Sequence, residues 1–273
     1  MVRRRVITLS TDFGSVYSAQ VKAVLHRRAP TATVVELTSD LPAHRVSEAA
    51  FLLGHIASGF PPRTVHLAVV DPGVGGRRAP IAVLLGDGSV AIGPDNGLLE
   101  SLANRLGIRD VRRIEPRRLP GGGPISPTFE GRDLFAPAAA LVASGRSVAT
   151  LGRRTHLTRG VGFTLRRGRD AAEGEVVHVD RFGDLITNVP GSWIPRSTGS
   201  VEVRFARRPA VTLPRRRTYE ELRPGAAAVL VSSFGTLEVS RREARADRRF
   251  RVRAGTTVRL RWGTRPARGK GGK

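Results

Sequence analysis

Short apolar runs alternate with amphipathic stretches over the first 150 residues. Val6–Ser10 predicts a buried strand, and the apolar spacing from Tyr17 to Arg28 predicts a helix that Pro30 ends. The other predicted strands are Thr33–Leu37, Thr64–Val70 and a hairpin of Ile81–Leu85 with Val90–Ile92, and the other predicted helices are Val46–Ser58, Gly97–Leu106 and Asp133–Ser144. This alternation predicts an α/β domain with a central sheet, in which ligands bind beyond the carboxyl ends of the strands.

The pattern changes after about residue 160 to short strands separated by turn residues. The predicted strands are Gly174–Asp180, Leu185–Val189, Ser200–Phe205, Ala227–Ser232, Gly235–Ser240, Phe250–Arg253 and Thr256–Trp262. Such spacing is typical of a small all-β barrel or sandwich. We therefore predict an α/β domain over residues 1–160, a smaller all-β domain over 161–263 and a basic, disordered tail over 264–273.

The chain is strongly basic, with 46 Lys+Arg against 23 Asp+Glu and a formal charge of +23 over 273 residues. Such a charge favours polyanion partners, and most of the excess lies after residue 150. Only three of the basic residues are lysines, however, and this bias is more typical of genome composition than of a phosphate-binding surface. Aromatic residues make up only 5% and form no stacking platform, so we expect nucleic-acid binding to be non-specific if it occurs.

Several function classes are excluded or disfavoured by missing residues and motifs. The chain has no cysteine, and no apolar run approaches the roughly 20 residues that a membrane helix needs. We expect a soluble, cytoplasmic protein without a membrane partner. The chain lacks the glycine motifs of a standard dinucleotide fold and of a P-loop, and its six histidines show no metal-ligand spacing, so we expect neither a metal nor a cofactor.

Six acidic or glycine-rich loops carry the candidate chemistry. They are Thr11–Gly14 (TDFG), Val70–Arg78 (VDPGVGGRR), Gly93–Gly97 (GPDNG), Thr128–Asp133 (TFEGRD), Asp180–Asn188 (DRFGDLITN) and Ser232–Glu238 (SSFGTLE). Each loop alone has an ordinary structural explanation, such as a helix cap at Asp12 or a type II turn at Pro72-Gly73. For Asp12 alone the helix cap is the favoured explanation, and the alternative is that it accepts two hydrogen bonds from the vicinal diol of a ribose.

The ordered set of loops resembles one family from Thr8 to about Trp262. The chain is similar to the S-adenosylmethionine (SAM) hydrolases that form adenosine, also called SAM hydroxide adenosyltransferases, which are related to fluorinase and chlorinase. The resemblance implies a SAM-binding α/β domain followed by a β-barrel, with SAM as substrate and adenosine as product. It also implies a homotrimer that holds the substrate between one subunit's first domain and its neighbour's second domain.

The resemblance implies a role for each matching position. Asp71 and Arg78 match the aspartate and arginine that prepare the attacking water, and Glu130 stands where the family has a histidine. The residues implied in substrate binding are Asp12 for the ribose diol, Asp180 for the methionine ammonium, Phe182 beside adenine, Asp184 for adenine edge contacts, Asn188 in the same motif and Ser233 for the methionine carboxylate.

Two departures from the family pattern affect the chemistry. Glu130 could take the proton of the attacking water, or it could bind Arg78 and leave Asp71 as the base. Asp184 replaces an asparagine, and an ionised aspartate accepts hydrogen bonds but donates none, which predicts weaker adenine binding unless another group supplies the donor. The alternatives are a SAM or adenosine binder impaired in catalysis and a basic nucleic-acid-binding protein.

Overall fold

A computed structural model describes residues 5–121, 123–160 and 162–263. The predicted tail over 264–273 lies outside the described residues. The chain divides into two compact units, Met1–Gly162 and Phe163–Lys273. Within the described ranges, no helix is long and apolar enough to cross a membrane.

The first unit is built on a six-stranded sheet. Its strands are β1 (Val6–Thr11), β2 (Thr33–Thr38), β3 (Val65–Val69), β4 (Pro80–Leu85), β5 (Val90–Pro94) and β6 (Ile108–Arg113), in the order β2-β1-β3-β5-β4-β6. Strands β2, β1, β3 and β5 run parallel, and β4 is antiparallel to both of its neighbours. The predicted hairpin is confirmed as β4 with β5, whereas β6 was not predicted because its sequence, IRDVRR, is mostly charged.

Helices cover the central strands of this sheet. They are α1 (Gly14–Arg28), α2 (Val46–Ala57), α3 (Glu100–Leu106) and α4 (Ala136–Ala143), and a π-helical turn at Gly131–Phe135 leads into α4. Helices α1 and α4 pack on each other, and α4 contacts β1, β3 and β5. Every residue of β3 and β5 is buried, because these strands are near-continuous apolar runs in the middle of the sheet.

The second unit is an antiparallel sheet that nearly closes into a barrel. Its strands are β7 (Arg166–Arg167), β8 (Ala171–Val179), β9 (Leu185–Pro190), β10 (Ser200–Phe205), β11 (Val211–Pro214), β12 (Ala227–Val231), β13 (Thr236–Arg241) and β14 (Thr257–Arg261). The order is β11-β10-β14-β8-β9-β13-β12, with β7 beside β8. A bridge between Arg215 and Val229 joins the two ends, so this near-barrel encloses one apolar core.

The predicted strand at Phe250–Arg253 is wrong. Phe250 ends a short helix, α5 (Ala246–Phe250), and the chain turns immediately afterwards. Arg251 has φ +51°, a left-handed conformation that a strand cannot contain. Strand β11 was not predicted, because its four residues are too short to show a period.

Candidate active site

Two predicted site residues of the first unit lie at the same edge of its sheet. Strands β1 and β3 are parallel neighbours with Thr11 opposite Val69, and Asp12 and Asp71 follow at their carboxyl ends. The loop after β5 supports this edge, since the Asn96 side-chain amide donates to the Val70 carbonyl at 2.9 Å. Asn96 therefore holds the backbone next to Asp71.

The loop over residues 71–78 is a compact glycine-rich turn. The amide of Val74 donates to the Asp71 carbonyl at 3.2 Å, and the amide of Gly76 donates to the Gly73 carbonyl at 2.9 Å. Gly75 has φ +73°, and a Cβ atom placed on it would lie 2.4 Å from the Pro127 carbonyl oxygen. Only glycine fits there, so the loop lies directly against the segment that leads to Glu130.

Arg78 joins the two other predicted catalytic residues. Its Nε donates to Asp71 Oδ2 at 2.8 Å, its Nη2 also contacts that oxygen, and Nη2 donates to Glu130 Oε2 at 2.5 Å. The side chains of Asp71, Arg78 and Glu130 are 4%, 10% and 15% exposed. The structure thus assembles residues from two distant loops into one half-buried ionic group, which we call the unit-1 triad.

The unit-1 triad holds one guanidinium between two carboxyl groups. Burial alone would lower the pKa of Arg78, but the hydrogen bonds and charges of Asp71 and Glu130 outweigh it and raise that pKa above its usual value. Arg78 also lies over the ring of Phe135, with Cζ 5.5 Å from the ring centre. Asp71 Oδ1 is buried without a hydrogen-bond partner among the described residues, so it is free to accept a hydrogen bond from a ligand or water.

Asp12 lies near this edge in a different environment. Its Oδ2 accepts a hydrogen bond from the His44 amide at 3.1 Å, and the residue is half-buried. Beside it, the rings of Phe13, Tyr17 and Phe129 meet edge to face with centroids 5.4 to 6.3 Å apart. The structure shows no direct contact between Asp12 and the unit-1 triad.

The second unit carries a cleft of about 530 Å³, which we call the unit-2 cleft. Among the predicted site residues, Asp180 and Ser233 line it. The full lining is His178, Asp180, Ile186, Arg217, Thr218, Tyr219, Leu230, Val231, Ser232, Ser233, Phe234 and Glu238. Negatively and positively charged side chains line this cleft together with apolar ones. A lining of apolar side chains with a few polar groups is typical of a small-molecule site.

The loop over residues 180–184 is held by its own first side chain. Asp180 Oδ1 accepts from the amides of Phe182 at 3.0 Å and Asp184 at 2.9 Å. The amide of Asp247 donates to the Gly183 carbonyl at 3.0 Å, and Arg245 Nη1 donates to the Arg181 carbonyl at 2.9 Å. Arg245, which precedes α5, and Asp247 in its first turn therefore hold this loop in place.

Phe182 and Asn188 do not line the unit-2 cleft. Phe182 is 70% exposed at the tip of its turn. Asn188 uses its amide group on backbone, accepting from the Glu175 amide at 2.8 Å and donating to the Thr164 carbonyl at 2.9 Å. Asn188 therefore links β9 to the backbone of Glu175 and Thr164.

Asp184 is buried beside the unit-2 cleft. It is 5% exposed, and its Oδ2 lies 3.3 Å from the hydroxyl of Tyr219, which also lies 2.5 Å from Glu238 Oε1. Burial, followed by the charges of Asp180 and Glu238, raises the pKa of Asp184 to about 6. Asp184 Oδ1 has no hydrogen-bond partner in the described part of the chain.

No group of three or more histidine, cysteine, aspartate or glutamate side chains is arranged to hold a metal ion among the described residues. His66 illustrates the structural use of a histidine in this fold. It is buried beside Thr8, its Nδ1 lies 2.9 Å from the Thr8 hydroxyl, and burial lowers its pKa to about 4.

The comparisons with known families match both units separately. Residues 7–152 match the SAM hydroxide adenosyltransferase N-terminal domain, and residues 174–259 match the C-terminal domain of the same name. The chain belongs to the SAM hydroxide adenosyltransferase family. This membership confirms the resemblance found in the sequence.

Curated members of the family are similar along nearly the whole chain. Proteins from Salinispora tropica and Thermus thermophilus, both named (R)-S-adenosyl-L-methionine hydrolase, are 37% identical over 93% and 94% of this chain and 97% and 99% of their own. A fluorinase from Nocardia brasiliensis is 23% identical over 96% of this chain and 98% of its own. Two solved structures, titled as an uncharacterized conserved protein from Thermotoga maritima and a conserved hypothetical protein from Thermus thermophilus, align with TM-scores of 0.86 and 0.76. They share 30% and 35% identity with this chain, covering 93% and 94% of it and 99% of each of theirs.

The structure of this family member adds residues that the sequence analysis did not single out. Tyr219 and Glu238 line the unit-2 cleft and contact each other, and Asn96 holds the backbone beside Asp71. Glu238 and Asn96 both lie in the candidate loops of the sequence analysis, so the sequence motifs already indicated the segments that contain them. Tyr219 lies 35 positions after Asp184 in a short 3₁₀ turn with no motif around it.

Proposed function

We propose that this chain hydrolyses SAM to adenosine and L-methionine by attack of water on the 5′ carbon of the ribose. The observation that carries the proposal is the unit-1 triad, in which Arg78 holds Asp71 by one oxygen and leaves Oδ1 free. Relatives of near-equal length that are named (R)-S-adenosyl-L-methionine hydrolase support the substrate, including the configuration at sulfur.

The reaction needs a proton acceptor and alignment more than a general acid. The oxygen of water forms a bond to the 5′ carbon while the bond from that carbon to the sulfonium breaks. Methionine leaves as a neutral thioether, so the departing sulfur requires no proton. The water loses one proton, and the net products are adenosine, methionine and that proton.

Asp71 is the group that we assign as the base. Its Oδ2 is committed to Arg78, whereas Oδ1 is buried and free to accept a proton from the attacking water. Arg78 holds the carboxyl group through two nitrogens, Nε and Nη2, that both contact Oδ2. Glu130 accepts from Nη2 of the same guanidinium, the nitrogen that also contacts Asp71, so we assign it to positioning Arg78.

The predicted binding roles follow the same scheme and stay proposals. Asp12 would accept from the ribose hydroxyls, and Asp180 and Ser233 would hold the ammonium and carboxylate of the methionine part, a match that their place in the unit-2 cleft supports. The homotrimer, the cytoplasmic location, the β-barrel as a closed barrel and the domain limits likewise remain predictions, as do the roles of Phe182, Asp184 and Asn188.

Several arginines of the second unit make contacts within the protein, and this favours the enzyme over the nucleic-acid-binding hypothesis. Arg241 donates to the Gly225 carbonyl, Arg242 donates to the Leu222 carbonyl, and Arg245 pairs with Asp247. These guanidinium groups are used to hold loops of the second unit. A salt titration with RNA and DNA would test for residual, non-specific binding.

The test is a product analysis with purified protein. Samples are incubated with SAM of each sulfonium configuration and separated by chromatography. We expect adenosine and methionine in equal amounts, formed faster from the (R) form. Unchanged SAM together with measurable binding would instead support the impaired binder, and no binding of either form would overturn the proposal.

A further inference from the structure

The loop that follows β5 holds both ends of the loop over residues 71–78. Strand β5 lies between β3 and β4 in the sheet, so the residues after it reach the ends of both neighbours. The amide of Asp95 donates to the Ala79 carbonyl at 2.8 Å. The side-chain amide of the next residue, Asn96, donates to the Val70 carbonyl at 2.9 Å. We call these two consecutive residues the loop clamp.

The loop clamp sets the positions of the two residues on which the proposed chemistry depends. Asp71 is the first residue of the clamped loop and Arg78 is the last, and their side chains meet with Nε 2.8 Å from Oδ2. Each is bonded directly to a residue whose carbonyl the loop clamp holds. A displacement of about 1 Å at a reacting group can lower a rate by about 10²-fold, so the spacing of these two backbones matters to the reaction.

The carboxylate of Asp95 is itself bound by Thr158. The amide of Thr158 donates to Oδ1 and its hydroxyl donates to Oδ2, both at 2.8 Å. Because each oxygen of the carboxylate has a donor, the side chain of Asp95 is fixed in one orientation. This contact joins residues that are 63 positions apart.

Thr158 lies near the end of the first unit, in a segment over residues 155–160 that we call the exit segment. The amide of Thr155 donates to the Val111 carbonyl at 3.0 Å, and the amide of Gly160 contacts Glu100 Oε2 at 3.2 Å. The first unit ends at Gly162. Of these three attachments of the exit segment, the one at Thr158 reaches the loop clamp.

We infer that Asp95 is a positioning residue for hydrolysis, which ties the exit segment to the loop that carries Asp71 and Arg78. The inference rests on the proposed function, in which these two residues prepare the attacking water. Asp95 acts through the backbone of Ala79 and not on the substrate. Because the base acts as the bond to the 5′ carbon forms, loss of its alignment lowers kcat and leaves KM largely unchanged.

Three substitutions at this tie test the inference, with folding checked by the melting temperature. Asp95→Ala should lower kcat for SAM by about tenfold or more and keep KM within about threefold. Asp95→Asn should keep kcat within about threefold of the parent, because its amide oxygen accepts from the Thr158 amide and its NH₂ group donates to the hydroxyl. Thr158→Val retains the amide contact alone and should give a loss between these two.

A double substitution separates positioning from a general structural effect. A residue that acts through Asp71 loses its influence on the rate once the base is removed, so we expect strong non-additivity. Asp95→Ala introduced into Asp71→Asn should change kcat by about twofold or less. The full loss of the single variant in this background would overturn the inference, as would a loss in Asp95→Asn as large as in Asp95→Ala.

Asp87→Ala is the matched control. Asp87 lies in the turn before β5 and accepts from the amide and the hydroxyl of Ser89, both at 2.9 Å, so the variant removes the same kind of double contact at the other end of the strand. Its kcat should equal that of the parent. An equal loss of kcat in Asp87→Ala and Asp95→Ala would assign the effect to the stability of the unit and overturn the inference.

Hydrogen exchange followed by mass spectrometry provides a readout that needs no substrate. The amides of Val74 and Gly76 are bonded within the clamped loop, and they should exchange faster in Asp95→Ala than in the parent or in Asp87→Ala. Unchanged exchange, or an unchanged kcat in an active parent, would overturn the inference alone. Failure of the parent in the SAM product analysis would instead overturn the proposed function, and the role in hydrolysis with it.

Discussion

Arg78 Nε donates to Asp71 Oδ2 at 2.8 Å, and Nη2 of the same guanidinium contacts both Asp71 Oδ2 and Glu130 Oε2. Asp71 follows β3 and Glu130 precedes the π-helical turn before α4, so one side chain ties together two loops that are distant in sequence. Because only one oxygen of Asp71 is used, the contact fixes the carboxyl group and leaves its second oxygen available.

Removing Arg78 should destabilise the protein. Arg78→Ala leaves the carboxyl groups of Asp71 and Glu130, whose side chains are 4% and 15% exposed, without their cation, and we expect the free energy of unfolding to fall by about 2–4 kcal/mol in urea titrations, somewhat less than for a fully buried pair. Arg117→Ala removes an ion pair whose arginine is 83% exposed, and it should change the free energy of unfolding by about 1 kcal/mol or less. Equal effects of the two variants would contradict a structural role for the unit-1 triad.

Asp71→Asn should remove the proton acceptor and retain the shape of the site. We expect kcat for SAM hydrolysis to fall by about 10²–10⁴-fold, the usual contribution of a positioned base. The control is Asp110→Asn, since Asp110 is another half-buried aspartate of the first unit paired with arginines. A parent-like kcat in Asp71→Asn would rule out Asp71 as the base.

Glu130→Gln should separate positioning from proton transfer. The amide oxygen still accepts from Arg78, while a negative charge that, under the proposed function, would stabilise the cationic substrate is lost. We expect KM for SAM to rise and kcat to stay within about tenfold of the parent value. If kcat instead fell as far as in Asp71→Asn, the assignment of the base would pass to Glu130.

Gly73→Ala should hinder access to the free oxygen of Asp71. A Cβ atom at Gly73 would lie 3.8 Å from Asp71 Oδ1 and from Arg78 Cγ, an ordinary contact that the fold tolerates. We expect a parent-like melting temperature with kcat/KM reduced by about tenfold or more, because the methyl group occupies space beside Oδ1. Gly123→Ala, which meets nothing within 4 Å, should leave both quantities unchanged.

Asp184→Asn should change how stability depends on pH. The pKa of Asp184 is raised to about 6 in the folded state from an ordinary value of 3.8, so folding favours the neutral acid. The stability that this group contributes is present below about pH 4 and is lost as the pH rises through 6. The asparagine variant should therefore gain more stability over the parent at pH 8 than at pH 5, measured by urea unfolding. An equal difference at both pH values would contradict the raised pKa.

Local patterns predicted most of the first unit and the loops of its site. The strand that ends before Asp71 is a short apolar run, and a carboxylate following such a strand belongs at the carboxyl edge of a parallel sheet. The contact of Arg78 with both Asp71 and Glu130 required the resemblance, since no local signal connects positions 52 residues apart. Sequence patterns failed at Arg251, where a left-handed residue ends α5 inside an apparently extended stretch.

The partners of Asp184 were beyond the reach of sequence patterns for a similar reason. Tyr219 approaches Asp184 and Glu238 through strand pairings of the near-barrel, and neither its 3₁₀ turn nor its exposed neighbours indicate a site. Asn188 shows the converse case. Its motif predicted ligand binding, but its amide holds the backbone of adjacent segments.

Hydrolysis of SAM in water enriched with ¹⁸O tests the central claim most directly, because the attacking oxygen is followed into the product. Mass spectrometry of the separated products should find one ¹⁸O atom in the 5′ hydroxyl of adenosine and none in methionine, at a rate that Asp71→Asn lowers strongly. Adenosine without the label, or label in methionine, would contradict attack of water on the 5′ carbon.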